Sequence, residues 1–159
     1  MSIRITQAQP PDAPIIAELV GELLHEIMAV IGTKAFKFSS ADTEARLRTW
    51  LTDGTYIVLL AREGAAAAGF VALAESHALY AEGAFGTIPE LYVRPAFRSR
   101  KVGARLLAKA RQCAGSKGWT RLEVTTPPLP HFERTLTFYE RQGFSISGGR
   151  KMKLEMETA

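Results

Sequence analysis

The sequence predicts a single α/β domain spanning residues 1–159, of the α+β kind in which a mixed sheet is flanked by helices. Three observations predict it. The apolar pattern switches between a period of two and a period near 3.6 in the order β-α-α-β-β-β-α-β-α-β-β. The length, 159 residues, suits one domain with a core of its own. Hydrophobic residues at 47% and charged residues at 23% are ordinary globular usage, which excludes global disorder.

The elements follow in order. Ile3 to Ala8 alternates as a short strand. Asp12 stands where a helix cap belongs, Pro14 falls in the tolerated first turn, and Ile15, Ile16, Leu19, Val20, Leu23, Leu24, Ile27 and Met28 keep helical spacing. Gly32 to Phe38 fits neither period. Ser40 or Asp42 is placed to cap a second helix carrying Ala45, Leu47 and Leu51 and closing near Gly54. Tyr56 to Ala61 and Ala67 to Ser76 read as a hairpin turning at Arg62-Glu63-Gly64. Thr87 to Val93 reads as a further strand, but Pro89 has no N–H to donate, so a bulge or a loss of pairing is expected there.

From Lys101 the residues Val102, Leu106, Leu107, Ala110, Cys113 and Ala114 make a helical stripe ending at Lys117-Gly118. Trp119 to Thr125 reads as a strand, and Pro127, Pro128 and Pro130 stiffen the loop after it. Phe132, Leu136 and Tyr139 share one face of a last helix stopped by Gly143. Phe144 to Ser147 and Lys151 to Met156, joined at Gly148-Gly149, read as a closing hairpin.

Several classes drop out. One cysteine, Cys113, cannot form an internal disulfide. His25, His77 and His131 lack metal-ligand spacing, so no metal is expected. The start lacks the basic-then-apolar layout of a signal peptide, and the longest near-apolar stretch, Ala65 to Ala74, is shorter than the ~20 residues of a membrane span. A soluble, cytoplasmic protein without a membrane partner is expected.

The net charge of +4 is unevenly distributed. From Leu91 to Leu122 there are nine basic residues (Arg94, Arg98, Arg100, Lys101, Arg105, Lys109, Arg111, Lys117, Arg121) and no acid. The remaining 11 basic and 16 acidic residues balance at −5. A solvated helix face is one reading of such a run; an anion site is the other. The segment is a strand, a short basic loop and a helix beginning near Lys101 or Val102. Helix starts carry unpaired N–H groups and the positive end of the backbone dipole, which suits phosphate. Gly103 and Ala104 keep the approach to that backbone small. No Walker-type and no dinucleotide-type glycine pattern is present.

This stretch resembles the acetyl-CoA-binding motif of the GNAT superfamily of N-acetyltransferases, Arg/Gln-x-x-Gly-x-Gly/Ala after a strand ending Val-x-Pro. Val93-Arg94-Pro95 precedes it and Arg98-Ser99-Arg100-Lys101-Val102-Gly103 occupies it, with Lys101 in place of the first motif glycine. Downstream, Phe138-Tyr139-Glu140-Arg141-Gln142-Gly143-Phe144 is similar to the family's aromatic-Tyr-Glu-x-x-Gly-Phe signature. Phe132 stands where the family often has Asn. The resemblance covers nearly the whole chain and implies a GNAT-like fold: a mostly antiparallel mixed sheet with two splayed strands, flanked by about four helices.

The resemblance also implies acetyl-CoA as co-substrate. Leu91, Tyr92 and Val93 would face its pantetheine, and Arg98, Ser99, Arg100, Lys101, Val102, Gly103 and Ala104 would hold its phosphates. Tyr139, matching the family tyrosine near the CoA sulfur, would protonate the leaving thiolate, and Glu90 would take the proton of the acceptor ammonium. Each has a plainer reading, Tyr139 as a core aromatic and Glu90 as a solvent-facing or ion-paired carboxylate. The expected activity is acetyl transfer to a primary amine of a small molecule or peptide, and the acidic remainder favours a cationic acceptor. A non-catalytic acyl-CoA-binding module is the alternative. Nucleic acid is not expected, because exposed aromatics do not interleave the basic run. Dimers are common in the family, which leaves a homodimer open.

Overall fold

The strand pair at the centre of the molecule is built from the most apolar stretch of the chain. In a computed structural model describing residues 2–157, β2 (Ile57–Glu63) and β3 (Ala66–Ala78) form an antiparallel hairpin turning at Gly64 and Ala65. Val58, Leu60, Phe70, Val71, Ala72 and Leu73 have no solvent exposure, so this hairpin is covered on both faces. β1 (Ile3–Gln7) flanks β2, also antiparallel. On the other side, β4 (Gly83–Ile88) and β5 (Leu91–Val93) both pair antiparallel with β3, and β6 (Leu122–Val124) runs parallel to β4.

Four α-helices cover the two faces. On one face α1 (Ala13–Ile31) and α2 (Ser40–Asp53) pack Ile16, Leu19 and Leu47 against Val58, Leu60, Phe70 and Tyr92. On the other, α3 (Val102–Lys117) and α4 (Glu133–Arg141) pack Leu106, Leu107, Ala110 and Tyr139 against Leu59, Val71 and Ile88. The expected mixed sheet with its flanking helices is therefore present. No helix among the described residues is long and apolar enough to cross a membrane.

Four details differ from expectation. Ser39, one residue before the expected cap, has extended backbone and accepts the Asp42 N–H at 3.2 Å, so it is the N-cap of α2. Asp12 does not cap α1: its carboxylate turns back to accept the Gln9 N–H at 2.8 Å and to pair with Arg62 at 2.8 Å. The expected strand from Thr87 to Val93 is two strands, and the link before it contains a 3-10 turn (Leu79–Ala81) and the start of β4. The closing hairpin does not form. Gly148 and Gly149 take the positive φ of a turn, 88° and 78°, yet residues 144–157 have no ladder, and Ile146, Met152, Leu154 and Met156 are exposed. Turn glycines specify a bend; they do not supply the cross-strand burial that stabilises a hairpin.

Candidate active site

Pro89 marks the feature around which the site is organised. Ala74 faces Thr87 across the β3–β4 ladder and Val71 faces Leu91 across β3–β5, so four steps on one strand oppose three on the other. That one-residue excess is a β-bulge at Pro89-Glu90. β6 follows β4 at Gly86, Thr87 and Ile88 but not β5, which leaves the outer edge of β5 without a strand among the described residues. The two strands splay apart just past the bulge.

Backbone alternation shows what that edge offers. The Ala72 N–H donates to the Glu90 carbonyl at 2.9 Å, and the Arg94 N–H to the Ala68 carbonyl at 2.8 Å. Residues 90, 92 and 94 thus direct their backbone groups toward β3, and the N–H groups of Leu91 and Val93 point into the splay. Tyr92 differs from the expected pantetheine-facing role. Its backbone faces Phe70, its ring is buried on the α1 side, and its hydroxyl donates to Glu22 at 3.3 Å. A side chain at position 69 would also collide there, because a Cβ on Gly69 would lie 2.4 Å from the Tyr92 carbonyl oxygen.

After β5 a 3-10 turn (Pro95–Phe97) leads to the loop that opens α3. Ser99 and Lys101 have left-handed backbone, φ 67° and 61°. Lys101 therefore adopts a left-handed conformation of the kind that glycine takes most readily. Among the described residues, the N–H groups from Ser99 to Ala104 find no acceptor; the first to do so is Arg105, bonded to the Lys101 carbonyl at 3.0 Å. Consecutive free N–H groups in an αL-containing turn at a helix start form an anion-binding concavity.

The basic residues around it divide into two groups. Arg94 is held by both oxygens of Glu22, at 3.1 and 2.8 Å, and by Glu18 at 3.3 Å, which ties β5 to α1. Arg98 pairs with Glu26 at 2.8 Å, Arg100 pairs with Glu63, and Lys101 has no ion pair among the described residues. Glu18, Glu22 and Glu26, four residues apart on α1, thus take up part of the acidic remainder, which is not a free acidic surface. The Arg98 and Arg100 pairs are solvent-exposed, and such pairs are weak enough for a phosphate to displace.

Gly103 does different work from that expected. A Cβ on it would lie 3.1 Å from Cζ of Phe138, so its bare face is covered by that ring rather than left open for a ligand. Phe138 and Phe144 both meet Tyr139 edge-on, ring centroids 5.3 Å apart in each case. The helix start and the tyrosine are thereby packed as one unit. Tyr139 is 5% exposed, and burial pushes its phenol up to about 12. Its hydroxyl has no hydrogen-bond partner among the described residues.

Glu90 lies on the opposite face of the sheet, at a cavity of about 190 Å³ between α1, α2 and the bulge. Thr43, Arg46, Leu47 and Trp50 share one stripe of α2 and line it with Ile16, Val20, Val58, Phe70, Ala72 and Tyr56. The Tyr56 hydroxyl donates to Glu90 Oε2 at 3.4 Å. Burial lifts the Glu90 carboxyl above the ordinary carboxylate range, opposed in part by that hydrogen bond. Burial and the neighbouring Glu90 charge also raise the Tyr56 phenol, which stays a donor. Tyr56, Trp50 and Arg46 are site residues that the sequence reading missed. The one available signal was the stripe of α2, where Thr, Arg and Trp stand among apolar positions instead of a uniform core face.

The remaining candidates have local roles. Cys113 packs partly buried against the α3 core, with its thiol raised by burial, and His25 bonds the Gly21 carbonyl at 2.7 Å. No cluster of three or more His, Cys, Asp or Glu side chains able to hold a metal occurs among the described residues.

Comparison with known proteins agrees with this geometry. The chain is 26% identical over 150 residues to the uncharacterized N-acetyltransferase YhfO of Bacillus subtilis, covering 92% of this chain and 93% of that one. Its fold matches an integron cassette protein from a salt-marsh metagenome with a TM-score of 0.79, at 21% identity over 98% of this chain and 91% of the other. It also matches a predicted acetyltransferase of Clostridium acetobutylicum crystallised with acetyl-CoA, with a TM-score of 0.76, at 14% identity over 98% of this chain and 96% of that one. Residues 53–146, more than half of the chain and all of the strands and loops that build the bulge, the splay and the Tyr139 helix, match the acetyltransferase (GNAT) domain, and the chain belongs to that family.

Proposed function

We propose that the protein transfers the acetyl group of acetyl-CoA directly to a primary amine of a small molecule or peptide. The observation that carries this reading is the splay beside Pro89-Glu90, which presents the Leu91 and Val93 N–H groups on one edge and a carboxylate on the other side of the same bulge. The pantetheine would run along the free edge of β5. Its phosphates would meet the N–H groups of residues 99–104 and the charges of Lys101, Arg98 and Arg100, the last two released from Glu26 and Glu63.

Glu90 takes a proton from the acceptor ammonium, directly or through a water, and the neutral amine attacks the thioester carbonyl. A Leu91 or Val93 N–H stabilises the oxyanion that forms. As the C–S bond breaks and the C–N bond is complete, Tyr139 donates a proton to the leaving thiolate, and the second proton, shed by the attacking nitrogen, leaves to water, from which the Tyr139 phenolate is reprotonated. The acceptor is cationic in the sense that its ammonium is drawn to Glu90; the carboxylates of α1 are engaged with Arg94 and Arg98.

The experiment is a coupled assay of thiol release and acetylated product over a panel of amines, with acetyl-CoA binding measured separately by calorimetry. Saturable transfer supports the reading. Tight acetyl-CoA binding with no transfer to any amine, and no change in Glu90→Gln or Tyr139→Phe, would instead identify a non-catalytic acyl-CoA-binding module.

A further inference from the structure

The cavity at Glu90 has two charged groups and an apolar body. Arg46, on the α2 stripe, has no ion-pair or hydrogen-bond partner among the described residues, although its neighbour Arg48 pairs with Glu44 at 3.1 Å. Arg62, Arg94, Arg98, Arg100 and Arg121 are likewise matched to carboxylates, and the other arginines without a partner among the described residues, Arg111, Arg134, Arg141 and Arg150, lie outside this cavity. Glu90, in turn, receives only the Tyr56 hydroxyl and has no ion pair among the described residues. One exposed arginine without an ion pair and one half-buried carboxylate, both among the described residues, therefore line the same small cavity. Between them the wall is hydrocarbon and aromatic: Val58, Phe70 and Ala72 are fully buried, and Trp50 and Tyr56 lie 4.8 Å apart between ring centroids.

Resting on the acetyltransferase reading, we propose that the acceptor is a zwitterion with an apolar body, in the chemical class of the apolar and aromatic amino acids. Its ammonium sits at Glu90, its carboxylate at Arg46 and its side chain against Trp50 and Tyr56. A volume of about 190 Å³ holds roughly six waters and matches one such side chain. Arg46 pairs with a carboxylate through two parallel N–H donors, the geometry for which guanidinium is suited. The same charge repels a second ammonium, and apolar walls leave such a group unsolvated, so polyamines fit poorly.

The test compares kcat/KM for leucine and phenylalanine with that for isoamylamine and phenethylamine, which lack the carboxylate, and for spermidine. The carboxylate is expected to raise kcat/KM at least about tenfold, chiefly through KM, the scale of one charge-assisted hydrogen bond. In Arg46→Gln the ratio between amino acid and matched amine falls toward one, and Arg46→Lys restores part of it. Amines that match or outrun their amino acids, or spermidine as the best acceptor, would overturn the proposal while leaving acetyl transfer intact. Calorimetric titration of phenylalanine against phenethylamine, with CoA present, tests the cavity's preference even if no amine is acetylated. A stronger response to phenethylamine there would also overturn it.

Discussion

The Tyr56 hydroxyl reaches Oε2 of Glu90 at 3.4 Å across 34 residues of chain, joining the start of β2 to the bulge in the strand two places away. The bond holds the carboxylate in a cavity that otherwise favours its protonated form. In the proposed reaction that arrangement places a base with a raised pKa where the acceptor amine would enter, and it yields the first prediction.

Glu90→Gln should lower kcat/KM about 10²-fold at neutral pH, and the acid limb of the wild-type profile should lie above the ordinary carboxylate range of about 4.3. Stability should move the other way. Because the folded state raises this pKa, proton binding stabilises the fold fully below the ordinary value, and that contribution is lost as pH rises through the folded value. Glutamine does not ionise. Thermal unfolding across pH should show Glu90→Gln gaining in Tm relative to wild type from about pH 4 upward and then levelling.

Tyr139→Phe tests the opposite face. The hydroxyl has no partner among the described residues whose loss would be felt, so the Tm should stay near wild type while kcat falls about 10²-fold with little change in KM for acetyl-CoA. A phenol pushed up to about 12 remains protonated, so kcat should show no alkaline limb from an ordinary tyrosine. Unchanged kcat would reduce Tyr139 to a packing residue between Phe138 and Phe144.

Gly103→Ala separates packing from ligand approach. The added methyl meets Phe138 at 3.1 Å, so the ring must give by a few tenths of an ångström, the ligand-free protein should itself respond in denaturant unfolding, and kcat should drop as Tyr139 shifts with its neighbour. An unchanged free protein with weakened acetyl-CoA binding would contradict that contact.

Lys101→Gly removes a charge and a left-handed non-glycine residue together. Relief of the φ 61° conformation should stabilise the free protein by about 1 kcal/mol, while acetyl-CoA binding weakens and becomes less sensitive to salt. Calorimetry at two salt concentrations reads both effects on binding.

How far this was legible in the sequence differs from element to element. Pro89 announced the bulge, because a missing N–H is a local property that survives any tertiary context. The α3 start and the Tyr139 helix were legible for the same reason, being carried by contiguous motifs. The function of Gly103 was not. Its neighbour Phe138 lies 35 residues on, and a glycine required by packing looks like one required by a ligand until the fold brings the ring over it. Tyr56 and Arg46 were silent because the cavity exists only where α2 crosses the sheet. The closing hairpin was over-read: alternation and a Gly-Gly turn are local signals, and pairing needs a partner that they do not specify.

The most direct measurement of acetyl transfer by this site is a single-turnover reaction of wild type and Glu90→Gln with acetyl-CoA and an amine acceptor, followed by mass analysis of the acceptor. Acetylated amine and free CoA thiol should form together in wild type, with the rate in Glu90→Gln slower by about 10²-fold and restored in part as pH rises and deprotonates the amine unaided. Equal rates in the two proteins at every pH, or no acetylated amine from either, would contradict it.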